Sequence, residues 1–203
     1  METHIILVRH GQIQANVDKL WHGWTDSALT EEGRQQALKA AQRLAQEHRD
    51  INAVYASPLQ RTRDTAAAIA ALLNHEVNLH EDLKEYGIGD LEGVSFGDLH
   101  KIHNFFDQVK SDPHYAPQGG ESIHGVATRV TNALNEIVAR HRGEKVLAVS
   151  HGAAMALALA NFLHQDPYAW EKYHFHNTAV TELVIGDEAK LLRLNCFAHL
   201  EEV

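Results

Sequence analysis

Ile5-Ile6-Leu7-Val8-Arg9-His10-Gly11, near the start of the chain, and Lys145-Val146-Leu147-Ala148-Val149-Ser150-His151-Gly152, far along it, follow one plan. Each is a short apolar run closed by a histidine and a glycine. Such a run suits a strand buried on both faces, as in a parallel sheet covered by helices. Around these runs the periodicity alternates. A helical pattern spans about Thr30 to His48, with Leu38, Ala41, Leu44 and Ala45 on one face. Glu31 and Glu32 suit its N-terminus, although Thr30 with Gly33 gives no full capping box. Ala53 to Ala56 reads as a strand, and Ser57-Pro58 opens a helix to about Leu73, with serine as N-cap. Glu76 to His80 reads as a third, short strand.

The stretch from Glu81 to Pro117 is less regular, with a helix expected near Phe96 to Val109. Helical patterning returns from Ser122 to His141, and the small residues Ala153 to Ala160 predict a tightly packed helix. Thr178 to Ile185 and Ala189 to Leu194 predict a hairpin around Gly186-Asp187. Strands alternating with helices predict an α/β fold, a three-layer α/β/α sandwich on a mostly parallel sheet. The 203 residues suit one domain, 1–203, with no repeat or linker.

Charge and cysteine content narrow the function. Eighteen Lys and Arg against 27 Asp and Glu leave a net charge of −9, which argues against nucleic acid and anionic membranes as partners. The 16 histidines, if all protonated, would carry that to +7. One cysteine, Cys196, excludes an internal disulfide and a multi-cysteine zinc site. No apolar run approaches the roughly 20 residues of a membrane span. Met1-Glu-Thr-His4 lacks the features of a secretory leader, so a cytoplasmic location is expected.

In open α/β sheets, ligands bind beyond the carboxyl ends of strands where the chain order reverses. If the two His-Gly strands are neighbours, His10 and His151 share such a crevice, and the glycines let backbone approach a ligand closely. Arg9 adds positive charge. So does Arg61 of Ser57-Pro-Leu-Gln-Arg61-Thr-Arg63, which strand-end placement directs toward the same rim, whereas Arg63 reads as a solvated helix residue. Imidazoles and arginines with no cysteine or serine nucleophile motif nearby point to phosphoryl transfer to histidine. A leaving alkoxide then needs a proton, and Glu81, Asp82, Glu85 and Glu92 are all candidates on these grounds.

These motifs resemble those of the histidine phosphatase superfamily, in its phosphoglycerate-mutase-like branch, and the resemblance covers nearly the whole chain in order. Leu7-Val-Arg-His-Gly11 resembles the nucleophile motif, with Asn16 at its later asparagine. Asp26-Ser-Ala-Leu-Thr-Glu-Glu-Gly33 resembles the entry to the first helix, and Ser57-Pro-Leu-Gln-Arg-Thr-Arg-Asp-Thr-Ala66 the phosphate-arginine motif. Leu83-Lys-Glu85, continuing to Gly89-Asp-Leu-Glu-Gly93, is similar to the acid motif, and Gly119-Gly-Glu-Ser122 and Ser150-His-Gly152 complete the series. The resemblance implies that His10 is the phosphorylated nucleophile and that Arg9, Arg61 and His151 hold the phosphoryl group. It makes Glu85 the general acid and then the base, and Asn16 an auxiliary substrate contact. It implies no metal and no cofactor. Gln12 and Ile13 depart from the acidic and hydroxyl residues common after the nucleophile glycine.

The expected function is a metal-independent phosphomonoesterase on a small phosphorylated metabolite. The alternatives are a cofactor-dependent phosphoglycerate mutase and a low-turnover phosphate-binding regulatory protein. The mutase is disfavoured because residues 94–118 and the ending at Val203 are short where mutases of the superfamily extend. Residues 94–118 are expected to overhang the pocket and set specificity. They carry Lys101 and Lys110 against Asp98, Asp107 and Asp112, too little positive charge for a highly anionic substrate. Trp21, His22 and Trp24 read equally as pocket mouth and as packing. His100, His103, His114, His174 and His176 fit no standard zinc spacing and read as solvated. Whether the chain acts alone or as a homodimer stays open.

Overall fold

A computed structural model describes residues 1–201, so the last two residues of the expected 1–203 domain lie outside the described ones. The chain runs β1 (Thr3–Arg9), α1 (Gln14–Val17), α2 (Glu31–Glu47), β2 (Ile51–Ala56), α3 (Gln60–Leu73) and β3 (Val77–Leu79). It continues α4 (Phe96–Lys101), α5 (Phe105–Ser111), α6 (Ile123–Arg140), β4 (Lys145–Ser150), α7 (Gly152–His164), β5 (Val180–Ile185) and β6 (Ala189–Cys196). The strands form one sheet in the order β3-β2-β4-β1-β5-β6, in which β5 alone runs against the others. β5 and β6 form the terminal hairpin, which a short turn at Gly186–Glu188 can close only in antiparallel sense.

The two faces of β1 explain the three layers. Ile5 and Leu7 join a buried cluster with Val130 and Leu134 of α6 and Leu157 of α7. Ile6 and Val8 join another with Ala41 and Leu44 of α2 and Ala66 and Ile69 of α3. Both faces are sealed from water, at about 1.5–3 kcal/mol per large aliphatic side chain, which is why β1 is apolar at successive positions.

Three local expectations need correction. Leu38 is exposed; the buried stripe of α2 is instead Ala37, Ala40, Ala41 and Leu44, whose small side chains let α2 lie close to the sheet. Ser57 does not cap α3: the helix begins at Gln60 after Leu59, and the Ser57 hydroxyl accepts from Leu59 N–H (3.4 Å) and pairs with His151. The single helix expected over Phe96 to Val109 is two, broken where Asn104 takes a left-handed conformation at φ 47°. That break turns Phe105 and Val109 inward, where both are buried beside Leu99.

The arrangement positions the site. β1 and β4 are parallel neighbours paired in register up to Arg9 and Ser150, and the His10 N–H extends the ladder to the Ser150 carbonyl (3.1 Å). The residues after each strand, His10 and His151, therefore emerge side by side where the chain order reverses.

Candidate active site

The rings of His10 and His151 lie 5.3 Å apart, both buried. Nδ1 of His10 stands 2.7 Å from the Gly11 carbonyl oxygen, which can only accept, so Nδ1 carries the proton and Nε2 keeps its lone pair. Burial first, and then the guanidinium charges of Arg61 and Arg9, hold the His10 pKa well below the usual histidine value. The ring is neutral at neutral pH. Gly11 is required for a reason other than ligand approach: a Cβ there would collide with the Gly33 carbonyl oxygen at the start of α2. At Gly152 a Cβ would meet Nε of Arg9 at 3.5 Å, an ordinary contact, so the backbone there does not demand glycine.

Arg9 lines the cavity, and its Nη1 donates to the Phe175 carbonyl (2.6 Å). Its Nε is buried with no acceptor. That N–H is sealed from the cavity, so an anion there meets the guanidinium through Nη2, which makes no hydrogen bond among the described residues. Asn16 also lines the cavity; its Oδ1 accepts from Ile13 N–H (3.1 Å) and Asn177 Nδ2 (3.2 Å), which leaves its NH₂ group for a ligand.

Arg61 and His151 stand behind this wall rather than on it. Both are fully buried, and neither lines the cavity, which corrects the expectation that Arg61 reaches the rim. Arg61 Nη1 donates to Thr25 O (2.9 Å), Nη2 to Gly23 O (2.7 Å) and His22 O (3.2 Å), and Nε to Nδ1 of His151 (3.2 Å). Four of its five N–H groups are thus engaged, leaving one on Nη1. Burial lowers its pKa to about 10, so it stays cationic at neutral pH. Because Nδ1 of His151 accepts from Arg61, its Nε2 carries the proton and donates to the Ser57 hydroxyl (2.9 Å). Burial, with Arg61 next, keeps His151 neutral as well. From sequence Ser57 reads only as a helix cap; its partner His151 follows the neighbouring strand β4. Arg63, as expected, is exposed.

Among the four acidic candidates, geometry separates Glu85. Its Oε1 accepts from the N–H groups of Tyr86 (2.8 Å) and Ala154 (2.8 Å), and its Oε2 from Ala153 (3.2 Å). The carboxylate therefore sits on the N-terminus of α7, where N–H groups lack helical partners and the dipole favours negative charge. Oε2, with the single longer bond, is the oxygen free to hold a proton. Glu85 is fixed by its backbone: its carbonyl accepts from Arg129 Nη2 (2.8 Å) and Trp24 Nε1 (3.0 Å). Arg129 is itself held on both oxygens of Glu121, at 2.7 Å each, which gives the Gly119-Gly-Glu-Ser122 segment its structural purpose. Glu81 and Asp82 are exposed, and Glu92 instead fastens the 23–25 loop by accepting from the N–H groups of Gly23, Trp24 and Thr25.

The cavity, of about 210 Å³, is lined by Arg9, His10, Asn16 and Glu85 at one end. Trp21 and His22 line it too, whereas Trp24 lies half in solvent and serves Glu85. His174 reaches the cavity wall. Trp170, Tyr173 and Phe175 also line it and were missed, although the aromatic density of Tyr168 to Phe175 was visible in the sequence. Among the described residues, one grouping brings possible metal ligands together, Glu47, His48 and Glu182, away from this cavity. There Arg193 Nη1 meets Glu47 at 2.8 Å and Arg193 Nε meets Glu182 at 3.1 Å, an ion-pair network.

Residues 5–196 match the histidine phosphatase superfamily (branch 1). Over 207 aligned residues the chain is 34% identical to a phosphoglycerate mutase-like protein 4 of Arabidopsis thaliana, covering 98% of this chain and 88% of that one. It is 32% identical to phosphoserine phosphatase 1 of Hydrogenobacter thermophilus, covering 98% and 94% of the two chains. Among solved structures it superposes on a phosphoserine phosphatase from Entamoeba histolytica, in complex with 3-phosphoglyceric acid, with a TM-score of 0.88 at 30% identity, covering 98% of this chain and 100% of that one. The chain belongs to the histidine phosphatase superfamily, among its phosphoglycerate-mutase-like proteins. Its activity is that of a phosphatase, the hydrolysis of a phosphomonoester. No helix among the described residues is long and apolar enough to cross a membrane.

Proposed function

We propose that this phosphatase works without a metal, through a phosphoryl group carried on Nε2 of His10. The observation that carries the proposal is a neutral His10, its Nε2 lone pair free, beside the Arg9 guanidinium on the same cavity wall. In the first half-reaction Nε2 attacks phosphorus, the P–O bond to the alcohol breaks, and Glu85 gives its proton to the departing oxygen. In the second, Glu85 takes a proton from water, whose oxygen attacks phosphorus, and inorganic phosphate leaves with His10 restored.

The remaining roles follow from position. Arg9 and the NH₂ of Asn16 bind phosphoryl oxygens from the cavity side. Arg61, through its remaining Nη1–H, and His151, through the Nε2–H now on Ser57, stabilise the same oxygens from behind. Both half-reactions spread negative charge over those oxygens, and fixed cationic donors in a water-poor site meet it without reorganising. The substrate is a small-molecule phosphate ester, and residues 94–118 belong to the same domain, reaching the cavity through Phe96.

Activity should survive exhaustive EDTA treatment and be blocked by vanadate, whose trigonal-bipyramidal form resembles the transferring phosphoryl group. A steady-state phosphate-release assay with p-nitrophenyl phosphate checks both. Loss with EDTA, restored by zinc, would overturn the metal-free mechanism.

Arg61→Ala should lower kcat/KM roughly 10²- to 10³-fold, the usual effect of removing one charged donor from such a site. Arg61→Lys should recover little, because an ammonium cannot bridge His151 and three loop carbonyls at once. Circular dichroism verifies folding, and an unchanged kcat/KM would make Arg61 a purely structural clamp.

A further inference from the structure

Beyond the phosphoryl end, the large apolar side chains Leu20, Trp21, Phe96, Trp170, Tyr173 and Phe175 share the cavity wall with His22 and His174. Two of these rings have their polar handles turned away: Trp21 Nε1–H donates to the Tyr86 carbonyl (3.1 Å), and the Tyr173 hydroxyl pairs with Nε2 of His164 (2.9 Å). What they present to a ligand is ring carbon. Trp21 is further locked by edge-on packing against Tyr86 and Phe105, so its face does not move aside. Phe96 stands at the start of α4 with 46% of its surface in water, a large ring left uncovered beside an apolar wall.

Charge is confined to the other end. Arg9 is the one Lys or Arg among the lining residues, and Glu85 the one carboxylate. Of the two further histidines on the wall, His22 has Nδ1 paired with the Ser27 hydroxyl (2.9 Å), and burial lowers its pKa, so it stays neutral; His174 is exposed, where water screens what it offers a ligand. A carboxylate or ammonium on the alcohol part of a substrate would leave water here without a fixed opposite charge to receive it, apart from the groups that hold the phosphoryl oxygens. A site built to bind charged groups discriminates because its own buried partners are left unpaired when a ligand lacks those groups; this wall does the reverse and penalises the charge itself.

We infer that the site takes a monoester of a small, uncharged, apolar alcohol with an aromatic or branched hydrocarbon face, rather than an amino-acid or hydroxy-acid phosphate. The inference rests on the phosphatase reading above and deepens it, since it concerns the leaving group alone. It also separates this chain from the relatives named for phosphoserine, whose carboxylate and ammonium ask for partners that this wall does not offer. A cavity of about 210 Å³ has room for the phosphoryl group and an alcohol near the size of one aromatic ring.

Benzyl phosphate, O-phosphoserine and 3-phosphoglycerate test it together, because all three leave as alkoxides and none has the intrinsic lability of an aryl ester. The expected kcat/KM for benzyl phosphate exceeds that for either anionic alcohol at least about tenfold, with most of the difference in KM. Trp170→Arg, which sets a guanidinium in the wall, should lower that ratio by raising KM for benzyl phosphate and lowering it for O-phosphoserine. Covalent labelling of His10 in the variant shows that the phosphoryl end is still assembled. O-phosphoserine or 3-phosphoglycerate turned over as well as benzyl phosphate would overturn the substrate class while leaving the phosphatase intact. Inertness toward all three and toward p-nitrophenyl phosphate would overturn the phosphatase reading and this inference with it.

Discussion

His10→Ala should abolish turnover of every phosphomonoester, with a loss on the order of 10⁴- to 10⁶-fold, as expected for removal of a covalent nucleophile. The expectation follows from the state in which the structure holds the ring. Nδ1–H is fixed on the Gly11 carbonyl and the pKa is held down by burial, Arg61 and Arg9, so Nε2 is an unprotonated nucleophile at neutral pH. The substitution should not unfold the protein, because His10 adds little to either apolar cluster of the sheet. Stopped assays at high enzyme concentration, with the wild type beside the variant, measure the loss. Retention of most activity in a folded variant would move the nucleophile elsewhere or replace it by direct attack of water.

Glu85→Gln should act selectively by leaving group. Phosphorylation of His10 by an alkyl ester should slow roughly 10²- to 10³-fold, within the usual contribution of a general acid. With p-nitrophenyl phosphate the same step should slow less than about tenfold, because that phenolate departs largely unaided. Glutamine can keep an oxygen on the N–H groups of Tyr86 and Ala154, so what changes is the protonatable Oε2 and its single bond to Ala153. Single-turnover kinetics isolate the step from the later hydrolysis, in which Glu85 serves both esters equally. Equal losses on the two esters would assign the acid to another group.

The sheet was legible because its chemistry is local. Ile5 to Val8 and Val146 to Val149 are short runs apolar at consecutive positions, which suits a strand covered on both sides. Their shared His-Gly endings placed the crevice, and neighbouring parallel strands realise it. What escaped depends on contacts distant in sequence. Ser57 reads as a cap until His151, 94 residues on, is seen to take its hydroxyl. Arg61 reads as a rim residue until the 22–25 loop folds over it and accepts its N–H groups. The break at Asn104 left no signal, since a left-handed asparagine is one of several conformations open to it. Expected specificity fell on residues 94–118, yet only Phe96 from that stretch lines the cavity, while Trp170, Tyr173 and Phe175 come from a segment with no motif. The resemblance singled out Glu85 from four carboxylates, and the physical basis appears only with α7, whose N-terminus binds it.

The central claim, a phosphoryl group on one nitrogen of one histidine, is open to direct observation. Wild-type enzyme mixed with excess substrate, quenched in base within the first turnover and examined by peptide mapping and ³¹P NMR, should carry acid-labile, base-stable phosphate on Nε2 of His10. Nδ1 should be unmodified, because its proton is held by the Gly11 carbonyl. Phosphate on Nδ1, on another residue, or on no residue while product accumulates would contradict the account.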